Sequence, residues 1–220
     1  MVERRVSGIP LEHVVGWVEF CGLRVSVGAE VFVPRQRSAL VVEQAARLVR
    51  PGAVVLDMCC GCGVIGLALA ARVPVELHAS DVSDAAVACA VANLAPVGGR
   101  VYRGDLFGPL PGELRGRLEL VVCNAPYVPT DMIGTLPPEA RIYEPVGTLD
   151  GGTDGLDVVR RVVGEATRWL RPRGHLIAES SVGQAAEMAA AFESAGFAAR
   201  VVQDDAVGAT VVVGTLVSAA

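Results

Sequence analysis

The chain has no lysine, so each of its 19 positive charges is an arginine. Together with the abundance of alanine, glycine and valine, this bias is typical of a GC-rich bacterial genome. The net charge is −5, and no arginine cluster is dense enough to form the basic stripe with which sequence-independent nucleic-acid-binding proteins displace counterions from phosphates. We therefore expect that nucleic acid is not the partner.

Long apolar runs are also missing, although 52% of the residues are hydrophobic and the mean hydropathy is +0.46. The longest run extends from Met58 to Ala71 and is too short and too rich in glycine to cross a bilayer. The opening residues, MVERRVSGIP, show no basic segment leading into an apolar stretch, so no secretory signal is visible. We expect a cytoplasmic protein without a membrane partner, and 220 residues suit one α/β domain.

Three of the six cysteines, Cys59, Cys60 and Cys62, crowd a single glycine-rich turn. The C-x-x-C spacing of Cys59 and Cys62 fits a redox pair or half of a zinc site. A zinc site needs a second pair of ligands, whereas the three histidines are scattered singly along the chain. We therefore expect no metal and interpret these cysteines as small packing residues.

Apolar, strand-like runs alternate with amphipathic helical patterns along most of the chain. Strands are predicted at Ala53–Asp57, Val75–Ser80, Arg100–Tyr102, Leu118–Cys123, His175–Glu179, Ala198–Asp204 and Ala209–Thr215. Helices are predicted at 38–49, with Ser38 as the cap, and at Val64–Ala71, Ser83–Leu94, Gly155–Leu170 and Val182–Ala195. This alternation predicts a doubly wound, seven-stranded, mostly parallel sheet with helices on both faces. The short turn between the last two strands makes them an antiparallel hairpin.

The N-terminal residues follow a different pattern. Two β-prone runs, Val14–Phe20 and Leu23–Val27, surround a Cys-Gly turn and predict a small hairpin, and an extended stretch follows. We predict that residues 1–37 form a β-hairpin extension and that residues 38–220 form the main α/β domain. Residues 125–152 make a long connection rich in proline and glycine, and connections of that length are usually functional.

The first strand of the main domain leads into Gly61, Gly63 and Gly66, which match G-x-G-x-x-G. This pattern lets the backbone approach a nucleotide at a helix N-terminus. Taken alone, the match is weak and also fits a nicotinamide-dependent enzyme. Asp57 stands four residues before the first glycine, where a carboxylate would repel a pyrophosphate but could bind a cationic amino group directly or through water.

The next two strands also end in acidic residues. Asp81 follows Asp57 at about the spacing at which a carboxylate meets a ribose diol. Asp105, Leu106 and Phe107 offer an acid and apolar faces where an adenine would lie. The ligand that carries an amino group, a ribose and an adenine but no phosphate is S-adenosylmethionine (AdoMet).

The fourth strand of the domain ends in Asn124-Ala125-Pro126-Tyr127, which resembles the Asn-Pro-Pro-Tyr of amino-methyltransferases. From about Phe20 onwards the chain most closely resembles the HemK-type protein glutamine N5-methyltransferases, which modify peptide-chain release factors. Further matches are Phe32-Val33-Pro34-Arg35 with I-P-R-P-E-T-E, Asp57–Gly63 with D-L-G-T-G-S-G, Asp81-Val82-Ser83, and Glu144-Pro145 with Leu149–Leu156 for E-P-x-x-A-L-x-G-G-x-D-G-L.

The resemblance implies a class I, Rossmann-like methyltransferase domain over residues 38–220, with AdoMet as the methyl donor and S-adenosylhomocysteine as the product. The residues expected to bind the cofactor are Phe32, Pro34, Arg35, Asp57, Cys59, Gly61, Cys62, Gly63, Asp81, Val82, Asp105, Leu106 and Asn124. The residues expected to be catalytic are Asn124, Ala125, Pro126 and Tyr127. Ala125 departs from the family in replacing its first proline, which keeps a backbone carbonyl but loosens the turn.

Physical chemistry supports this reaction independently. An amide nitrogen is a poor nucleophile because its lone pair is delocalised, and a site that accepts hydrogen bonds from both of its N–H groups can orient it. Asn124 offers a side-chain carbonyl, Ala125 offers a backbone carbonyl, and Tyr127 can pack on the planar amide while Pro126 stiffens the turn. Alignment of this kind can contribute roughly 7 to 11 kcal/mol, so no strong base is required.

The sequence is compatible with more than one acceptor. Family members hold the release factor with an N-terminal helical domain, and only residues 1–13 precede the predicted hairpin here, so we expect that domain to be missing. A small-molecule amine or amide, or the exocyclic amine of a nucleic-acid base, remains an alternative acceptor. A nicotinamide oxidoreductase and a non-catalytic AdoMet-binding module are alternatives from other classes. No prediction of the oligomeric state follows from the sequence.

Overall fold

The computed structural model describes residues 1–217. Within them the strands are β1 Trp17–Phe20, β2 Leu23–Ser26, β3 Val54–Met58, β4 Glu76–Asp81, β5 Arg100–Arg103, β6 Leu118–Cys123, β7 Leu170–Glu179, β8 Phe197–Asp204 and β9 Ala209–Leu216. The α-helices are α1 Val2–Val6, α2 Leu11–Val15, α3 Ala39–Leu48, α4 Val64–Arg72, α5 Asp84–Leu94, α6 Pro138–Tyr143, α7 Asp157–Ala166 and α8 Ala185–Ser194.

Seven strands form one sheet in the order β5-β4-β3-β6-β7-β9-β8, and β1 pairs with β2 in a separate hairpin. The first five strands of this order, β5-β4-β3-β6-β7, are parallel to one another. Strand β9 runs antiparallel to both β7 and β8. The chain starts the sheet at β3, builds outwards to β5 and then returns to place β6 on the other side of β3. The order of the strands therefore reverses between β3 and β6, the position at which doubly wound sheets bind their ligands.

Successive side chains of the central strands point to opposite faces of the sheet, so the core has one part on each face. Val55 belongs to the cluster that includes side chains of α3, α4 and α5, whereas its neighbour Leu56 belongs to the cluster of α7 and α8. Both side chains are fully buried. Burial of an aliphatic side chain of this size contributes about 1.5 to 3 kcal/mol, which explains why the central strands read as continuous apolar runs.

The predicted fold is confirmed: the sheet has seven strands, is mostly parallel and ends in an antiparallel hairpin, and a hairpin lies near the N-terminus. The boundary between residues 37 and 38 stays a prediction. The residues assigned to the extension also form α1 and α2, and α2 ends at Gly16 in a left-handed conformation where we expected the first strand to have begun. Among the described residues, no helix combines the length and apolar character needed to cross a membrane.

The predicted ends of the helices at 38–49 and Gly155–Leu170 were wrong. Ser38 does not cap α3 with its side chain, because a 3-10 turn over Gln36–Ser38 already gives this residue helical dihedral angles. The helix predicted over Gly155–Leu170 is shorter at both ends. Gly155 has a positive φ of 79° that a helix excludes, and Leu170 pairs with Leu118 as the start of a long β7.

Residues 128–156, the connecting segment between β6 and α7, fold over the sheet and meet the N-terminal residues. The Tyr143 hydroxyl donates to the backbone carbonyl of Ser7 at 2.6 Å, and Arg5 pairs with Glu139 at 3.3 Å. The two segments together form the wall that faces the carboxyl ends of β3 and β6.

Candidate active site

A cavity of about 850 Å³ opens at the carboxyl ends of the parallel strands, where the strand order reverses. Met58 and Cys123 pair at the ends of β3 and β6, so the residues that follow them start side by side. We call residues 59–63 the cofactor turn and residues 124–127 the acceptor turn. Both turns line the cavity, whose volume is in the range usual for small-molecule sites.

The cofactor turn is held by the end of the neighbouring strand β4. One carboxylate oxygen of Asp81 accepts the backbone N–H of Gly61, and the other accepts that of Ser83, both at 2.9 Å. The backbone N–H of Cys60 donates to the carbonyl of Ser80 at 3.1 Å. A carboxylate has about four lone-pair sites, so Asp81 keeps acceptor capacity towards the cavity that it lines.

Asp57 lies behind the cofactor turn and is not among the residues that line the cavity. Its Oδ2 accepts the backbone N–H of Gly66 at 2.8 Å, which satisfies a free donor in the first turn of α4. Gly66 allows this approach, because a Cβ there would lie 3.1 Å from Asp57 Oδ2 and 3.0 Å from Leu77. Burial, opposed by the hydrogen bond from Gly66 and assisted by the charge of Asp81, raises the pKa of Asp57 to about 7. Its Oδ1 is buried and has no hydrogen-bond partner within residues 1–217.

The three cysteines of the cofactor turn all line the cavity, and all are free thiols. Burial raises the pKa of Cys60 and Cys62 well above the usual range. A hydrogen bond with Cys123, together with burial, has the same effect on the pKa of Cys59. The thiols therefore stay protonated at neutral pH and lack the thiolate character of reactive cysteines. Within the described chain, no group of three or more His, Cys, Asp or Glu side chains could hold a metal ion.

The residues predicted near the adenine also lie at the cavity, beyond the end of β5. The Asp105 carboxylate is exposed and pairs with Arg161 of α7 at 2.5 Å. Leu106 is buried, and its carbonyl accepts the hydroxyl of Ser80 at 2.9 Å. This side of the cavity therefore combines an apolar surface with a polar rim.

The acceptor turn is held by an ion-pair network under its aromatic residue. The Tyr127 hydroxyl donates to Glu179 Oε1 at 3.0 Å and accepts from an Nη2–H of Arg37 at 2.5 Å. The Arg37 Nε–H donates to the same Glu179 oxygen at 3.1 Å. Burial, followed by the charge of Glu179, raises the pKa of Tyr127 to about 12, so its hydroxyl stays protonated.

A second chain of hydrogen bonds reaches the amide of Asn124. The Ser38 hydroxyl donates to the other Glu179 oxygen, Oε2, at 2.5 Å. Asn124 Nδ2 in turn donates to Ser38 Oγ at 3.4 Å. Glu179 is only 3% exposed, and the acceptor turn is therefore connected to a carboxylate at the buried end of β7.

Gln184, which precedes α8, and the connecting segment support the acceptor turn from the opposite side. Gln184 Nε2 donates to the backbone carbonyls of Tyr127 at 2.9 Å and Asp154 at 2.8 Å. A Cβ at Gly155 would lie 2.3 Å from the Tyr127 carbonyl oxygen and 2.2 Å from Gln184 Nε2. The glycines in the sequence that matches G-G-x-D-G-L thus make room for the backbone of the acceptor turn.

Arg35 lines the cavity, but its guanidinium is engaged by the connecting segment. Nη2 of Arg35 donates to both carboxylate oxygens of Glu144, at 2.7 and 2.8 Å, and the guanidinium lies 4.9 Å from the centre of the Phe32 ring. Burial raises the pKa of Glu144, and the charge of Arg35 opposes this shift. The ion pair joins Phe32–Arg35 to the connecting segment, two parts of the chain that resemble separate motifs of the family.

Most of the predicted site residues meet at the cavity. Those that line it are Phe32, Pro34, Arg35, Cys59, Gly61, Cys62, Asp81, Val82, Asp105, Leu106, Asn124, Ala125, Pro126 and Tyr127. Asp57 and Gly63 are not part of the lining. Sequence reasoning missed Arg37, Ser38, Glu179 and Gln184, which hold the acceptor turn. Ser38 lies only three residues after Arg35, so an extension of that match would have reached it.

The comparisons with known proteins agree with this geometry. A family model described as the methyltransferase small domain matches residues 25–134. A release factor glutamine methyltransferase of Geobacter sulfurreducens is 40% identical over 200 residues, which cover 90% of this chain and 69% of the relative. The chain belongs to the release factor glutamine methyltransferase family. A second member, from Gloeobacter violaceus, is 38% identical over 82% of this chain and 65% of its own length.

A solved structure of a release factor-specific protein-(glutamine-N5) methyltransferase from Alicyclobacillus acidocaldarius is also similar. It has a TM-score of 0.52 and 26% identity, and the match covers 87% of this chain and 99% of that one. The chain spans about two thirds of the length of the two curated family members. Residues 25–134, which the family model matches, include both turns.

Proposed function

We propose that this protein transfers the methyl group of AdoMet to the side-chain amide nitrogen of a glutamine, and that the glutamine belongs to a peptide-chain release factor in the cytoplasm. The observation that carries the proposal is the acceptor turn, which presents Asn124 and the Ala125-Pro126 backbone to the cavity directly beside the cofactor turn. Membership of the family supports the choice of glutamine and of the release factor.

The cavity suits AdoMet in shape and in chemistry. Asp81 has acceptor capacity for the ribose hydroxyls, and Leu106 provides an apolar surface for the adenine. The unpaired Oδ1 of Asp57 is buried behind the cofactor turn, so it can accept from the cofactor's cationic amino group only through a bridging water. When bound, AdoMet supplies a methyl group on a positively charged sulfur.

The acceptor turn then orients the substrate amide. The Asn124 side-chain carbonyl and the Ala125 backbone carbonyl accept its two N–H groups, which favours pyramidalisation and directs the nitrogen lone pair towards the methyl carbon. The N–C bond forms as the S–C bond breaks, and the nitrogen loses one proton to solvent. Orientation replaces a strong base in this scheme, because placing the reactants correctly can contribute roughly 7 to 11 kcal/mol.

Mass spectrometry of a purified release factor tests the proposal. The factor, which carries a Gly-Gly-Gln sequence, is incubated with the protein and AdoMet, and the peptide containing the glutamine is fragmented. We expect a single added methyl group on the glutamine side chain. The reaction with Asn124→Ala is the matched control and should leave the glutamine unmodified.

The alternative acceptors give different results in the same assay. If calorimetry shows AdoMet binding but the glutamine stays unmodified, the release factor is not the acceptor and the proposal fails at that point. Methylation of an added small amine, or of an exocyclic amine in a nucleic acid, would then assign the site to another substrate class. Absence of AdoMet binding would contradict the assignment of the cofactor.

A further inference from the structure

The direction of the hydrogen bonds around Asn124 determines how its side-chain amide is oriented. A carboxylate can only accept, and Glu179 Oε2 takes the hydroxyl hydrogen of Ser38. Since this hydrogen is committed to Glu179, the Ser38 oxygen can only accept from Asn124. The nitrogen of the Asn124 amide must therefore face Ser38, and its carbonyl oxygen must face the other way.

The Asn124 carbonyl is consequently available to a ligand. Within residues 1–217, no group donates a hydrogen bond to Asn124 Oδ1, while Asn124 itself lines the cavity. If the amide were flipped, two acceptor oxygens would meet at Ser38, and the NH2 group would be turned towards the substrate. A substrate amide presents N–H donors, so a flipped Asn124 would repel it.

We propose that Ser38 and Glu179 are positioning residues that keep Asn124 in the acceptor orientation, and that this orientation makes the site select a nucleophile with two N–H donors over a carboxylate of the same shape. The inference rests on the proposed function, because it concerns the same acceptor. It adds that the choice of glutamine over glutamate is set by a serine and a buried glutamate that do not form part of the acceptor turn.

Ser38→Ala removes the acceptor for the Asn124 amide, and Ser38→Thr keeps a hydroxyl at the same place. We expect Ser38→Ala to lower kcat by roughly 10- to 100-fold, as misalignment of reactants does, with little change in AdoMet affinity. Ser38→Thr should recover most of the loss. Ser180→Ala is the matched control. Ser180 is also buried and adjoins Glu179, but it is not among the cavity-lining residues, and its hydroxyl bonds only to the neighbouring carbonyl of Ser181.

Glu179→Gln provides a second variant that preserves volume. A glutamine there can donate to the Ser38 oxygen, which frees the Ser38 hydrogen to bond Asn124 Oδ1 and turns the amide round. We expect kcat to fall at least as far as in Ser38→Ala. Turnover equal to wild type in both variants would overturn the proposal.

Nuclear magnetic resonance provides a test that does not depend on turnover. The chain contains two asparagines, Asn93 and Asn124, so 15N-asparagine labelling yields two side-chain NH2 signals, and Asn124→Ala identifies one of them. We expect an NOE from the Asn124 NH2 protons to the Ser38 β-protons. In Ser38→Ala these protons should exchange with solvent about five- to tenfold faster, as loss of one ordinary hydrogen bond predicts.

The two readouts separate this inference from the proposed function. If the wild-type protein leaves the release factor unmodified, the proposed acceptor is wrong, and the NMR result still decides whether Ser38 holds the Asn124 amide. If the wild-type protein methylates glutamine but the Asn124 NH2 signals are unchanged in Ser38→Ala, the function stands and the positioning role is overturned. The Asn93 signals, whose amide bonds to Ser26 and Cys62, should stay constant throughout.

Discussion

The two halves of the cavity are built in different ways. The cofactor half is local: a turn of consecutive residues follows β3 and is held by Asp81, only 20 positions away from Gly61. The acceptor half is assembled from distant parts of the chain, since Ser38 and Glu179 are 141 positions apart and Tyr127 and Arg37 are 90 apart. Binding of the cofactor and orientation of the acceptor can therefore be damaged separately.

The largest effect is expected from Asn124→Ala in the acceptor half. Loss of the carbonyl that orients the substrate nitrogen should lower kcat by about 100- to 1000-fold, the range seen when one preorganised transition-state contact is removed. AdoMet affinity by calorimetry should change little, because the cofactor turn is held independently. A parallel loss of affinity and turnover would show that the two halves are not separable.

A smaller effect is expected from Asp81→Ala in the cofactor half, and it should lower AdoMet affinity instead of kcat. The variant loses the carboxylate that accepts the Gly61 and Ser83 N–H groups and that is proposed to accept the ribose hydroxyls. A hydrogen bond to a charged group contributes about 1.5 to 3 kcal/mol. AdoMet affinity should fall roughly 10- to 100-fold, with turnover recovered at high AdoMet concentration. Asp84→Ala is the control, since Asp84 is exposed, pairs with Arg103 and is not among the lining residues. Unchanged affinity in Asp81→Ala would remove Asp81 from the ribose site.

The difference between the halves explains what the sequence could predict. The seven-stranded sheet depends on a short-range signal, strand periodicity, and was predicted well. Glycine spacing and acids at strand ends, which are also short-range, predicted a cofactor turn after β3, and residues 59–62 do line the cavity. Glu179 was read only as the last residue of a strand, and Ser38 only as a helix cap. Their roles depend on the register of α3 and β7 across the sheet, which no local pattern in the chain specifies.

Gln184→Ala, at the residue that precedes α8, tests how the acceptor turn is supported. The variant loses the hydrogen bonds from Nε2 to the carbonyls of Tyr127 and Asp154 and the one that Oε1 accepts from the Ser181 hydroxyl. The acceptor turn therefore gains freedom without losing any group that meets the substrate. We expect kcat to fall about tenfold and AdoMet affinity to stay constant. Gln203→Ala, at an exposed position on β8, controls for the loss of a glutamine. A fall in AdoMet affinity instead would assign Gln184 to the cofactor half.

Turnover at saturating AdoMet is expected to change least in Asp57→Asn, because Asp57 is not among the cavity-lining residues. Its effect should appear in the stability of the unliganded protein. Burial raises the pKa of Asp57 from 3.8 to about 7, so the folded chain holds this proton more tightly than the unfolded chain does. Between these pH values the unfolded state binds fewer protons, so the wild-type protein should lose stability relative to Asp57→Asn as the pH rises, and the difference should level off once the pH has passed through about 7. Chemical denaturation of both proteins at pH 5, 6, 7 and 8 measures this difference directly, because the titrations of all other groups cancel between them. If the difference in unfolding free energy stays constant, or grows in favour of the wild-type protein as the pH rises, Asp57 is ionised in the folded chain. A charged carboxylate then lies behind the cofactor turn before AdoMet binds.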